Sequence, residues 1–229
     1  DYGPEMKIPA YQSQPFPHAT HAAMVGRIDR FVGEVIEKLE ELELAENTIV
    51  IFTSDNGAHQ EGGADPDFFD SNGPFRGYKR DLYEGGIHVP LIVKWPGKIK
   101  PASESAHVSA FWDWLPTFAD LIGQPQPEEI DGVSLLPTLL GEAKQKKHDH
   151  LYWEFHELGG RQAALKDGWK LVKYQVKDAE KTTVELFNIG VDPGETQDLV
   201  SENPEKVAEL EEFIRKAHKP NPVFKLFEK

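Results

Sequence analysis

The chain has 229 residues, of which 39% are hydrophobic and 28% are charged, which allows one large globular domain or two small ones. Its formal net charge of −14 comes from 25 basic and 39 acidic residues, and a surface of this sign repels nucleic acid and anionic lipid. We therefore expect neither nucleic acid nor a membrane as a partner. The absence of cysteine excludes a disulfide, a zinc–thiolate site and a cysteine nucleophile within this sequence.

The first elements in chain order predict part of an α/β layer structure. Residues 1–17 contain four prolines and no periodicity, which predicts an extended arm without a signal peptide. From His18 the pattern is helical, and apolar residues recur at three- and four-residue spacing between Val25 and Leu42. The following segment NTIVIFTS, residues 47–54, is typical of a strand buried on both faces. A helix followed by such a strand is half of a βαβ unit.

The next segment is a long polar loop over residues 56–86, and loops of this length in a compact domain are usually functional. IHVPLIVKWPG, residues 87–97, predicts a second strand. VSAFWDWLPTFADLIG, residues 108–123, predicts a helix with Asp113 as its N-cap and Gly123 as its stop. The stretch up to residue 147 is predicted as a loop with one apolar patch.

From His148 the pattern changes to short β-type pieces separated by turns at Gly168 and Gly190, which predicts an antiparallel sheet. Pro204 then opens a last amphipathic helix. The change of pattern places a domain boundary near residue 145. We therefore expect one unit over residues 1–145 and a small antiparallel sheet with one helix over residues 146–229.

Asp55 and Asn56 follow the first predicted strand, where ligands of open α/β sheets bind. Their carboxylate and amide oxygens are hard ligands that suit Ca²⁺ or Mg²⁺. The same Asp-Asn-Gly sequence is also a good turn, so both interpretations stay open on these residues alone. Two ligands do not complete a Ca²⁺ site, which takes about six to eight oxygens.

A basic cluster formed by Arg76, Lys79 and Arg80 lies in the long loop, where it would attract an anionic group. Gly85 and Gly86 follow it and permit a close backbone approach. The alternative is a solvated basic loop without a ligand.

Several segments together carry a resemblance to a known family. They are, in order, TSDNGAHQEGG, FRGYKRDLYEGGIHVPLIVKWPGKI, DWLPTFADLIG and DGVSLLPTLLG. They resemble signature segments of the type I sulfatases, the arylsulfatase-like hydrolases of the alkaline phosphatase superfamily. The tail, with YWEFHELGGRQAALKDGWKLV and ELFNIGVDPGETQDL, is similar to the C-terminal subdomain of the bacterial members. The resemblance covers about residues 20 to 220.

The resemblance implies an α/β fold. Residues 1–145 would be the C-terminal part of the sulfatase catalytic domain, an alkaline-phosphatase-like α/β sandwich. Residues 146–229 would be a small antiparallel β-sheet subdomain with a C-terminal helix. The activity implied is sulfuric ester hydrolysis, and we expect a sulfated carbohydrate as the substrate.

The resemblance also implies roles for single residues. Asp55 and Asn56 match the Asp-Asn pair that completes a Ca²⁺ site, and Lys79 matches the catalytic lysine that grips the sulfate. His59 and His88 lie near the same loop ends, and we predict that they contact the substrate, with an ordinary surface role as the alternative. Trp153, His156 and Arg161 could border the cleft, but packing is the favoured interpretation for these three.

One departure from the family pattern is important. The family's nucleophile is a formylglycine made in a Cys/Ser-Xaa-Pro-Xaa-Arg motif, and the nearest match here, Ser13 to Pro17, lacks the arginine. The other metal-binding aspartates of the family have no match either. We therefore expect the chain to be the C-terminal portion of a sulfatase, to need a missing N-terminal half of the same protein as its partner, and to be inactive alone.

Two alternatives remain from the sequence. One is a phosphoesterase of the same superfamily, which would hold two metal ions, and the other is a non-catalytic glycan-binding or interaction fragment. An open reading frame that starts at or near Asp1, with no nucleophile motif before it, would favour the fragment. A periplasmic or extracellular location is expected, although no signal segment in the sequence supports it.

Overall fold

The structure, a computed structural model, describes residues 15–61 and 64–227. The arm predicted over residues 1–17 therefore lies almost entirely outside the described residues. The first part contains helix α1 (Pro17–Glu41), strand β1 (Val50–Thr53), the short helices α2 (Pro66–Phe69) and α3 (Glu84–Ile87), strand β2 (Leu91–Lys94), helix α4 (Trp114–Leu121) and the short helix α5 (Leu136–Leu139). The second part contains β3 (Leu151–Phe155), β4 (Arg161–Lys166), β5 (Trp169–Tyr174), β6 (Thr183–Asn188) and helix α6 (Pro204–Ala217).

The first predicted helix and both strands of the first part are present, but their environment differs from the prediction. Strand β1 pairs with β2 in an antiparallel ladder that runs from Val50 opposite Lys94 to Thr53 opposite Leu91. These two strands therefore do not form a βαβ unit with each other. The prediction that β1 is buried on both faces is wrong for this structure, because a sheet of two strands leaves side chains such as Phe52 exposed.

Helix α1 begins at a proline, whose fixed backbone angle suits the first helical position. None of its 25 residues is buried, although the apolar stripe predicted from the sequence is present. Its exposed apolar side chains are Met24, Val25, Ile28, Phe31 and Val35. The helix therefore presents a long apolar face that no described part of the chain covers.

Helix α4 shows a second difference from the prediction. Gly123 follows the helix with a φ of 66°, in the left-handed region expected of a helix stop. Asp113 is the N-cap residue of α4, as predicted, but its side chain makes no capping hydrogen bond to the helix. Its buried carboxylate instead accepts hydrogen bonds from the backbone of Ala110 at 2.7 Å and of Val133 at 2.8 Å, and lies 2.8 Å from His148 Nε2. Asp113 therefore joins α4 to two distant loops.

The second part is a four-stranded antiparallel sheet with the order β3-β4-β5-β6, which confirms the predicted sheet. Alternate side chains point to opposite faces of its strands. One face packs against α6 through a core of Ala164, Leu171, Leu186, Leu210 and Ile214. The other face packs against the loop before β2, through a core of Leu82, Ala163, Val172 and Phe187. We call these strands the C-terminal sheet.

The boundary predicted near residue 145 falls shortly before β3, and it stays a prediction. Within residues 15–61 and 64–227, no helix combines the length and the apolar composition needed to span a membrane.

A substitution at Leu210 tests how much the core beneath α6 contributes to stability, because the Leu210 side chain is fully buried there. We predict that Leu210→Ala lowers the free energy of unfolding by about 2–5 kcal/mol, because the truncation removes buried methyl groups and leaves a cavity. Urea unfolding followed by circular dichroism measures the change. Val191→Ala is the control, since Val191 is 82% exposed, and a loss of equal size there would contradict the prediction.

Candidate functional site

The predicted site begins where β1 ends, and glycines fit it closely to the following loop. Gly57 N–H donates a hydrogen bond to Gly86 O at 2.9 Å. A Cβ atom on Gly57 would lie 1.8 Å from Gly85 O, and one on Gly86 would lie 2.2 Å from Asp81 O. Any side chain at these positions would force the backbones apart. The strand end and helix α3 are therefore packed together with no room for a side chain at these positions.

Lys79 is held beside the same strand end by its backbone. The backbone N–H of Lys79 donates a hydrogen bond to Ala58 O at 2.7 Å. Ala58 lies three residues after Asp55 in the sequence. The next residue, Arg80, has a φ of 79°, a left-handed conformation that is costly for a residue with a side chain. The position of Lys79 thus depends on a backbone geometry that neighbouring groups have to maintain.

Four polar groups at this strand end have no hydrogen-bond partner among residues 15–61 and 64–227. They are the Asp55 carboxylate, Asn56 Oδ1, Lys79 Nζ and His59 Nε2. Asp55 and His59 are exposed, whereas Asn56 and Lys79 are half-buried. Polar groups that are fixed by the backbone but unused within the fold are available to bind a ligand.

The basic cluster predicted from the sequence is divided in the structure. The Arg76 guanidinium lies 4.0 Å from the centre of the Tyr83 ring and 3.4 Å from Glu185 Oε1. Arg80 pairs with Glu61 at 2.7 Å. Two of the three cations predicted to attract an anion are therefore paired with carboxylates, and anion binding at this cluster stays a prediction. Of the three, only Lys79 has no ion pair within the described part of the chain.

His88 is placed differently from the other predicted residues. Its side chain is 53% exposed, its Nδ1 lies 2.8 Å from Glu84 Oε2, and its ring stacks on Phe75 at 4.3 Å. No hydrogen bond among the described residues joins it to Asp55, Asn56, His59 or Lys79. Glu84 therefore fixes the orientation of His88, and a substrate contact from this residue stays a prediction.

A buried ion cluster lies behind the site, and sequence analysis did not find it. Lys170 Nζ is fully buried and lies 2.7 Å from Glu84 Oε1 and 2.9 Å from Glu195 Oε1. Glu195 Oε2 also accepts a hydrogen bond from Glu84 N–H at 2.6 Å. The only signal in the sequence was a lysine within an apolar strand, in WKLVKY. Its partners are 86 and 25 positions away and could not be identified from spacing.

Burial and charge act in opposite directions on the two carboxylates of this cluster. Burial disfavours the charged form of Glu84, but the contacts with His88 and Lys170 outweigh it and lower the pKa of Glu84 to about 2. Burial raises the pKa of Glu195 above its ordinary value, and Lys170 offsets this only in part. The ammonium of Lys170 is thus shared between two carboxyl groups whose pKa values shift in opposite directions.

The calcium prediction can be compared with the donors present. Asp55 and Asn56 provide two hard oxygen donors at a strand end, which is the chemistry that Ca²⁺ prefers. Across the described ranges, however, no group of three or more His, Asp or Glu side chains could hold a metal ion. The two residues therefore fit part of a Ca²⁺ site and need further ligands from other segments.

Two family models match the chain. The model described as Sulfatase matches residues 9–124, and the model described as N-sulphoglucosamine sulphohydrolase, C-terminal, matches residues 73–219. The elements that carry the candidate site all lie within these matches. The fold and the site thus define a sulfatase-like α/β protein.

Individual relatives agree with the family models. The chain is 32% identical over 213 residues to an N-acetylgalactosamine-6-O-sulfatase of Bacteroides thetaiotaomicron, a match that covers 85% of the chain and 41% of the relative. It is 40% identical over 139 residues to a steryl-sulfatase of Mus musculus, with 59% of the chain and 22% of the relative covered. The chain thus spans less than half the length of these relatives.

Solved structures show the same similarity. The crystal structure of Ps i-CgsB in complex with k-i-k-neocarrahexaose matches with a TM-score of 0.75 and 28% identity over 89% of the chain and 43% of that structure. A structure in complex with its substrate D-glucosamine-2-N,6-O-disulfate matches with a TM-score of 0.67 and 26% identity, over 84% of the chain and 38% of that structure. The predicted α/β fold class is confirmed, and the chain belongs to the sulfatase family.

The ion cluster predicts how stability depends on pH. The pKa of Glu84 is lower in the folded than in the unfolded chain, so its contribution is present above about pH 5 and is lost as the pH falls toward 2. The lowering corresponds to stability on the order of 3 kcal/mol. The raised pKa of Glu195 acts in the opposite sense, because its contribution is lost as the pH rises through its folded-state value.

We therefore predict that Glu84→Gln is less stable than the native protein above pH 5 and that the two stabilities converge as the pH falls toward 2. Urea unfolding at a series of pH values measures this difference. Glu205→Gln is the control, because Glu205 is exposed on α6 and has no ion pair within the described ranges. A difference between native protein and Glu84→Gln that is independent of pH would contradict the prediction.

Proposed function

We propose that the protein containing this chain is a sulfuric ester hydrolase that acts on a sulfated glycan. The observation that carries the proposal is Lys79 in a sulfatase-family chain. Its backbone N–H is bound to Ala58 O, in the segment that follows Asp55, and its ammonium has no ion pair among the described residues. The proposal of a glycan substrate is supported by similar proteins. One is named as an N-acetylgalactosamine-6-O-sulfatase, and two solved structures contain carbohydrates.

Each residue of the candidate site has a role in this proposal. Lys79 binds a sulfate oxygen, and its fixed charge stabilises the negative charge that develops as the ester bond to sulfur breaks. Asp55 and Asn56 would hold Ca²⁺ together with ligands from other segments, and the bound ion would neutralise further sulfate charge. His59 follows Ala58, whose carbonyl oxygen accepts the Lys79 N–H, and its Nε2 would contact the alcohol part of the substrate.

The nucleophile is not supplied by this sequence. The family's formylglycine requires a Cys/Ser-Xaa-Pro-Xaa-Arg motif, which none of the 229 residues provides. We propose that it lies in another segment of a longer protein.

The proposal is tested on the longer protein that contains this chain. We predict that Lys79→Ala lowers kcat/KM for an aryl sulfate by about 10²–10³-fold, the usual cost of removing one group that stabilises transition-state charge. Steady-state hydrolysis with the native protein and the variant measures this loss. Lys98→Ala is the matched control, because Lys98 is exposed and has no ion pair within the described residues.

The isolated 229-residue chain serves as the inactive reference in the same assay. Measurable sulfate ester hydrolysis by this chain alone would contradict the proposal that the nucleophile lies elsewhere. If the longer protein hydrolyses an aryl phosphate faster than an aryl sulfate, the phosphoesterase interpretation replaces the sulfatase one.

The metal is tested separately from turnover. We predict that Asp55→Ala weakens Ca²⁺ binding by the longer protein by about tenfold or more, since changes to groups around a metal cost at least this much. Calorimetric titration of Ca²⁺ into protein stripped of metal measures the affinity. Asp178→Ala is the control, because Asp178 lies in the turn between β5 and β6 and pairs with Lys181. Unchanged Ca²⁺ affinity in Asp55→Ala would exclude Asp55 as a ligand.

A further inference from the structure

The second part of the chain contacts the loop that carries Lys79 through Arg76, which pairs with Glu185, and through residues 80–84. Residues 80–84 are bound by several side chains of the second part, including Glu185, which accepts a hydrogen bond from Tyr83 Oη. We call four of the others the C-terminal clamp: Arg161, Lys170, Tyr174 and Glu195. Arg161 is on β4, Lys170 and Tyr174 are on β5, and Glu195 follows β6. Of the four, only Arg161 was considered for the substrate cleft from the sequence, and packing was favoured for it.

Arg161 acts on the residue next to Lys79. Its Nη1 donates hydrogen bonds to Arg80 O and to Asp81 Oδ1, the latter at 2.7 Å. The Arg161 side chain is 12% exposed and its guanidinium lies 4.6 Å from the centre of the Tyr174 ring. Because Arg80 has a left-handed backbone conformation, the contact on its carbonyl oxygen opposes relaxation to an ordinary φ. That relaxation would displace Lys79.

The remaining clamp residues hold the segment immediately beyond. Tyr174 Oη accepts a hydrogen bond from Leu82 N–H at 3.1 Å. Lys170 Nζ donates a hydrogen bond to Glu84 Oε1 at 2.7 Å. Glu195 Oε2 accepts one from the backbone N–H of Glu84 at 2.6 Å. Glu84 begins helix α3, which also contains Gly86, whose carbonyl oxygen accepts the Gly57 N–H.

The close glycine contacts leave no space to absorb a shift of helix α3. A Cβ on Gly85 would lie 2.2 Å from Gly77 O, and one on Gly57 would lie 1.8 Å from Gly85 O. A displacement of Glu84 is therefore passed to the strand end that carries Asp55. In close-packed regions such shifts are transmitted rather than absorbed.

We propose that Arg161 and Lys170 are positioning residues for Lys79 and for the Asp55 strand end, which they hold through residues 80–86 in the geometry that binds a sulfate ester. The part of this inference that concerns sulfate rests on the proposed function. The part that concerns backbone geometry is independent of it.

The experiment compares lysine and arginine replacements on the two faces of the same strands, in the longer protein that contains this chain. The test variants are Arg161→Met and Lys170→Met. The matched controls are Lys166→Met on β4 and Lys173→Met on β5, which break ion pairs of 2.7 Å with Glu209 and Glu211 of α6 on the opposite face. Each of the four variants removes one cation from the C-terminal sheet. Of the four native side chains, only Arg161 and Lys170 contact residues 80–84.

Three quantities are measured for each variant: kcat and KM for an aryl sulfate, the affinity for inorganic sulfate, and amide hydrogen exchange in peptides that contain Gly57 and Lys79. We expect Arg161→Met and Lys170→Met to weaken inorganic sulfate binding and raise KM by about tenfold or more, because small displacements of a binding group are costly. Exchange at Gly57 and Lys79 should become faster by a similar factor. Arg161→Lys should recover part of the loss, since a single nitrogen of Arg161 makes both contacts.

The controls should stay within about twofold of the native protein in sulfate affinity and in exchange at both amides, as expected of partly exposed ion pairs. Native values in Arg161→Met and Lys170→Met would overturn the proposal. Equal losses in Lys166→Met and Lys173→Met would also overturn it, because they would show a general loosening of the sheet.

A milder variant covers the case in which the test variants do not fold. Tyr174→Phe removes only the hydroxyl that accepts the Leu82 N–H, and we expect sulfate binding to weaken by about threefold to tenfold, the worth of one hydrogen bond. Native sulfate affinity and exchange in Tyr174→Phe would then overturn the proposal. If the native protein hydrolyses no sulfate ester, the proposed function fails, whereas the exchange rates still decide whether the clamp positions Lys79.

Discussion

The geometry of the candidate site depends on the buried ammonium of Lys170, which lies between the carboxylates of Glu84 and Glu195. Removing charges from water is costly, and such a cluster persists only when each ion is paired with good geometry. Here the pairing joins the C-terminal sheet to helix α3, which begins at Glu84. Since that helix fits against Gly57 without spare space, the cluster also determines where β1 ends.

The two parts of the chain differ in how completely they bury their apolar surface. The C-terminal sheet has a core on both faces, one beneath α6 and one against the loop before β2. In contrast, α1 and the β1–β2 pair contain no buried residue, and exposed apolar side chains also line α4. Apolar faces of this extent mark contact surfaces. The chain also spans only 41% of the length of its Bacteroides relative.

Much of the fold could be predicted from local patterns. The spacing of apolar residues predicted α1 and α6, and the apolar runs predicted β1 and β2. The turn residues predicted the short strands from β3 to β6. These signals could be used because they depend only on neighbouring residues. The environment of β1 could not be predicted, since burial depends on what packs against a strand. The role of Asp113 was also missed, because the carboxylate of a potential N-cap can bind distant backbone groups just as well.

The sequence by itself determined the family and the residue types at the site: a strand that ends in Asp55 and Asn56, a lysine at position 79 and the glycines that follow it. These features are local, or follow one another in a set order along the chain, so they can be recognised without the tertiary structure. Only the tertiary structure decided which of the basic residues stays available, because Arg76 and Arg80 find carboxylates that are distant in sequence. It also decided that Arg161, Lys170 and Glu195 hold the site from behind. Contacts between residues tens of positions apart are set by how the chain packs, and spacing along the chain contains no record of them.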